Sequence, residues 1–80
     1  MTSTATLGPA LVGTVARLSR VPGARKERVL VLSVEDLGDG LALILGDLLY
    51  RPGGAYGERD SRGRFSSVGY RIGDDVEVEA

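Results

Sequence analysis

Twelve glycines and three prolines interrupt these 80 residues at intervals of roughly ten, and that spacing leaves few windows in which a long helix could run. The segments between them are rich in Val, Leu and Ile, which suits strands. Residues 11–19, with Val12, Thr14 and Val15, read as a first strand, and Pro22-Gly23 marks a turn. Residues 28–35 read as a second strand. Asp39-Gly40 lies between two apolar runs, a strong hairpin signal. Residues 41–45 form a third strand that can continue past Gly46 towards Tyr50. Residues 51–64 hold Pro52, four glycines and six charges without apolar periodicity, and are expected to be an exposed loop. Residues 65–71 give a fourth strand and Gly73-Asp74 a turn. Residues 75–79 alternate Val76 and Val78 with acids, as a half-buried fifth strand does. The expected fold is all-β: a small five-stranded barrel over residues 9–80 with little or no helix, preceded by a flexible segment at 1–8. Closure is how so short a sheet hides its edges. OB-like and SH3-like barrels both fit.

Composition narrows the function classes. Cysteine and histidine are absent, which removes disulfides, thiolate and imidazole metal ligands, and the commonest general base. No acidic pair is singled out for acid–base work, and no glycine-rich loop leads into a helix with a Lys. Neither enzymatic activity, a metal nor a cofactor is expected. The longest apolar run, 41–49, is broken by Gly46 and Asp47 and is too short to span a bilayer, and the first residues lack a signal-peptide pattern. A cytoplasmic protein without a membrane partner is the default expectation.

The net charge is −1, yet the charges come in blocks. Arg17, Arg20, Arg25, Lys26 and Arg28 stand against Glu27; Glu35, Asp36, Asp39 and Asp47 form an acidic stretch; Asp74, Asp75, Glu77 and Glu79 close the chain. Such blocks either pair across strands or offer a basic grip on phosphate. All four aromatics, Tyr50, Tyr56, Phe65 and Tyr70, share one segment with Arg51, Arg59, Arg62, Arg64 and Arg71. Bases stack on aromatic rings and phosphates pair with Arg, so this mixture suits single-stranded nucleic acid. Arg17, Arg20, Arg25, Lys26, Arg28, Tyr56, Arg59, Arg62 and Arg64 are therefore candidate nucleic-acid contacts. Phe65 and Tyr70 fit a core equally well.

The second and third strands raise a different possibility. Alternation puts Leu30, Leu32 and Val34 on one face and Val29 and Val31 on the other; it likewise separates Leu41, Leu43 and Leu45 from Ala42 and Ile44. Both faces are apolar, and a single layer this small cannot cover both. Val29, Val31, Ala42 and Ile44 are the candidate protein interface, for a partner or for self-association into a homo-oligomer.

Three stretches together resemble the OB-fold nucleic-acid-binding domains of the anticodon-binding and helicase-wedge type. Val12-Gly13-Thr14-Val15 is similar to the family's bent first strand. Residues 29–36 and 38–45 resemble its second and third strands around an acidic glycine turn. Tyr70-Arg71-Ile72-Gly73-Asp74-Asp75-Val76-Glu77-Val78 resembles its closing strand. The resemblance covers about half of the chain and implies binding of single-stranded DNA or RNA, with the basic first loop gripping the strand. Residues 47–64 depart from it, being glycine-rich where the family has a helix. The second and third strands depart from it in carrying aliphatic side chains. Two functions are expected to compete: a non-catalytic nucleic-acid-binding module, and a protein-interaction or self-assembling barrel.

Overall fold

A computed structural model describes residues 2–21, 23–49 and 59–79, with side chains of the last stretch described from residue 63 onward. Its strands are β1 (Thr2–Thr6), β2 (Val15–Leu18), β3 (Glu27–Asp36), β4 (Leu41–Leu49), β5 (Arg59–Arg71) and β6 (Asp75–Glu79), with one 3-10 turn at Pro9–Leu11. The all-β expectation holds, and the described residues contain no α-helix.

Every pairing is antiparallel, and the strands lie in the order β1-β6-β2-β3-β4-β5. In place of a closed barrel of five strands, the described residues form an open sheet of six, with β1 and β5 at its edges. The extra strand comes from the segment expected to be flexible. Thr2–Thr6 pairs with Asp75–Glu79, so β6 is flanked on both sides, by β1 and β2. The first strand is shorter than expected because Gly13, at φ 90°, turns the chain: Thr14 N–H donates to the Leu11 carbonyl at 3.0 Å.

The Asp39-Gly40 hairpin forms as its sequence dictates. Both residues have positive φ, 56° and 78°, and Leu41 N–H donates to the Gly38 carbonyl at 3.1 Å. This is the turn hand that matches strand twist. Asp36 Oδ1 accepts from Gly38 N–H at 2.9 Å and fixes the approach.

One core lies under the sheet: Leu7, Leu11, Ala16, Leu18, Val29, Val31, Ala42, Ile44, Leu48, Phe65 and Val76. Gly46 sits between Val31 and Phe65 in the register. A Cβ there would run into the Leu30 carbonyl and the Val29 side chain, so glycine is what allows the β3–β4 pair to approach so closely. Of the three register shifts, at Val31/Ser33, Ala42/Ile44 and Asp47/Leu49, the first two re-aim described side chains. At Val31/Ser33 the extra residue on β3 is Leu32, and beyond it Val34 pairs with Ile44 and packs on the core instead of sharing a face with Leu30. Between Ala42 and Ile44, β5 carries more residues than β4, so both Ser67 and Tyr70 come to the inner side.

Candidate interaction surface

The interface expected at Val29, Val31, Ala42 and Ile44 is overturned. All four are fully buried, at 0 % exposure, and form the centre of the core. The expected alternation holds on β4 and on β3 as far as Val31, with the two faces interchanged; past the bulge at Leu32 it fails, and Val34 joins the inner side. The outer face carries Leu30, Leu41, Leu43 and Leu45, with the bulged Leu32 beside them; Leu32, Leu41 and Leu45 are 43 %, 37 % and 39 % exposed. Across β5 the bulged Val68 adds a side chain 56 % exposed. A signal for this was present. Asp47 shares its parity with Leu41, Leu43 and Leu45, whereas Ala42, Ile44, Gly46 and Leu48 include no charge.

This leucine surface is bordered by two charges of opposite sign. Glu35 on β3 stands opposite Leu43, and Arg71 on β5 stands opposite Leu41. Both are exposed. Arg71 Nη1 donates to the Asp39 carbonyl at 2.8 Å. Glu35 pairs with no cation among the described residues.

The other half of the outer face is charged, and its charges are matched. Register places Arg17 between Glu77 on β6 and Arg28 on β3. Arg28 grips Glu79 through Nε at 2.6 Å and Nη2 at 2.9 Å, with Arg17 Nε 3.9 Å from the same carboxylate. The Arg28 hydrogen bond holds the Glu79 carboxyl below its ordinary range, and Glu79 in turn raises Arg28. Lys26 Nζ lies 3.3 Å from Glu77, and Arg20 Nε lies 3.0 Å from Glu27. Arg64 Nη1 lies 3.7 Å from the buried Asp47. Of the expected nucleic-acid contacts, Arg17, Arg20, Lys26, Arg28 and Arg64 thus stand beside carboxylates. Arg25 is exposed and makes no ion pair among the described residues. Arg59 and Arg62 lie on β5 with their side chains outside the described set, and Tyr56 lies outside the described residues, as do Tyr50 and residues 51–58 of the expected loop.

The two described aromatics are structural. Phe65 is buried in the core, and Tyr70 packs against it while its hydroxyl accepts from Ser19 N–H at 2.9 Å. A shallow groove beside Tyr70 is lined by Ser19, Val21, Lys26 and Asp74, among others. Among the described residues no three Asp or Glu side chains gather as a metal site would need, and no helix is long and apolar enough to cross a membrane.

Comparison with known proteins finds no matching family model, no similar curated protein and no similar solved structure.

Proposed function

We propose that this chain is a non-catalytic protein-interaction module that works through the leucine-bearing outer face of β3 and β4. The observation that carries it is the contrast within one surface. Five leucines lie on the outer side of two neighbouring strands, while most of the described cations already have carboxylate neighbours. Exposed aliphatic surface of this kind gains free energy when a partner covers it. A cation that must first leave a bidentate carboxylate contributes less to phosphate binding than a free one.

The finer fold assignment is the SH3-like alternative. Strands β2 to β5 run as a meander, and β6 returns beside β2. An OB barrel, by contrast, is built on a Greek key. On this frame the leucine face is the outside of the central hairpin. The OB resemblance supports the nucleic-acid alternative through Arg25 and the arginines of β5.

Two measurements test the choice. Cross-linking in intact cells is expected to give an adduct with the native chain and none with Leu43→Lys. Titration with a single-stranded oligonucleotide at about 50 and about 200 mM salt is expected to show no steeply salt-dependent binding. Steep binding that survives Leu43→Lys overturns the proposal in favour of nucleic acid.

A further inference from the structure

We infer that the partner covering the leucine face is a second copy of this chain, related by a two-fold axis that runs parallel to β4 in the plane between the two sheets. The inference rests on the leucine-face reading above and adds a partner and a geometry to it. Two sheets that stack face to face lie about 10 Å apart, with side chains from both filling the gap. Three arrangements of a two-fold axis are available, and the charges bordering the leucines choose among them.

An axis perpendicular to the sheet leaves the face uncovered. An axis in the interface plane but across the strands lays β3 over β3 and β5 over β5, so that Glu35 approaches the Glu35 side of the second copy and Arg71 its Arg71 side. An axis along β4 lays β3 of each copy over β5 of the other. Glu35 then meets Arg71 of the second copy, and by symmetry Arg71 meets its Glu35. The two residues are offset along the strands, since Glu35 is opposite Leu43 and Arg71 opposite Leu41. Two residues amount to about 7 Å of strand, a distance these long side chains together can span. Leu41, Leu43 and Leu45 fall along the axis and meet their own counterparts. Over the stretch from Leu41 to Leu45 the charge complementarity follows from register: Glu35 on β3, Arg71 on β5, and leucines between them. Asp47, next on the same row, is buried in its own chain beside Arg64 and takes no part in the contact.

The size of the face sets the expected strength. Three strands about 4.8 Å apart make a surface roughly 15 Å across, at the small end of specific interfaces. A contact of this size is expected to be reversible, so a concentration series is what reveals it.

Charge exchange tests the geometry. Sedimentation equilibrium from about 1 µM to about 1 mM should show monomer and dimer. Glu35→Arg alone and Arg71→Glu alone should each weaken the dimer at least about tenfold, because symmetry makes one substitution place like charges together twice. The double variant E35R/R71E should recover native affinity to within about threefold, and mixing the two single variants should give a heterodimer. All these positions are exposed, and urea unfolding of each variant verifies that it is folded. A monomer across the whole concentration range overturns the inference, as does a double variant no tighter than the singles. The intact-cell adduct separates the two levels. An adduct of twice the chain mass, lost in Leu43→Lys, supports both. An adduct of another mass, lost in the same variant, keeps the leucine face as the docking site and overturns self-association. Salt-steep oligonucleotide binding without an adduct removes the leucine-face reading itself.

Discussion

The two faces of the β3–β4 hairpin are equally aliphatic and have opposite fates. The inner face, Val29, Val31, Ala42 and Ile44, has no exposure at all; the outer face, Leu30, Leu32, Leu41, Leu43 and Leu45, stays in contact with solvent. Hydrophobicity does not distinguish them. What does is size and charge: the inner face narrows to Ala42 and Gly46, where strands bend tightly over a core, and the outer face contains Asp47 and the bordering Glu35. A residue with no side chain marks close approach of backbone, and a carboxylate marks access to water or a cation. Position in a strand pattern tells which residues travel together, and these exceptions tell which way they point.

The sharpest break of the comparison is at Gly46. Gly46→Val places carbon atoms against the Leu30 backbone and Val29, neither of which can swing aside. It is expected to cost about 3 kcal/mol or more, read as a lowered urea midpoint or a loss of native circular dichroism. Next comes the inner face proper. Ile44→Ala removes buried volume at a fully enclosed site and is expected to cost about 2–4 kcal/mol in urea unfolding. A cost below about 1 kcal/mol would mean that Ile44 is not in the core.

The charged half of the outer face gives a smaller effect with a defined pH dependence. Glu79 has its pKa lowered on folding, so the stability it adds is present above the ordinary Glu range and disappears as pH falls through its depressed value. Glu79→Gln is expected to cost about 0.5–1 kcal/mol at neutral pH and nothing at low pH, where the native carboxyl is protonated too. Urea midpoints of both proteins across acid pH measure the convergence. The smallest effect belongs to the leucine surface. Leu45→Ser, at a residue 39 % exposed, is expected to change monomer stability by no more than about 0.5 kcal/mol while weakening self-association. A loss on the scale of Ile44→Ala, measured below the dimerisation range, would show that Leu45 belongs to a core.

Turns and the middles of most strands were legible from local chemistry, but Thr2–Thr6 is a strand where a flexible segment was expected, and the loop expected at 51–64 gives way from Arg59 onward to strand β5, which pairing with β4 extends beyond its apolar part. Asp39-Gly40 takes positive φ at both positions, and Gly73, at φ 96°, sits in the turn where Asp74 N–H donates to the Arg71 carbonyl. Val76 and Val78 alternate inward with acids outward, as read. The surface was less legible. The basic block and the acidic terminus are far apart in sequence, and only the pairing of β6 with β2 brings Glu77 and Glu79 to Arg17, Lys26 and Arg28. What looked like a phosphate grip is in large part an internal charge match. The bulges at Leu32 and near Val68 were equally hidden, because an extra residue in a strand shows only against its partner.

The amino-acid order by itself determined that this protein is made of strands joined at glycine turns, that its β3–β4 pair is apolar on both sides, and that it lacks histidine and cysteine chemistry. Those properties depend on φ preferences and side-chain identity, which are local. Only the tertiary structure decided which apolar side became the core, which arginines met carboxylates, and that Thr2–Thr6 joined the sheet as an edge strand. Each of these depends on contacts between segments up to the whole chain apart, and such contacts are fixed by register and packing, which no short window of residues contains.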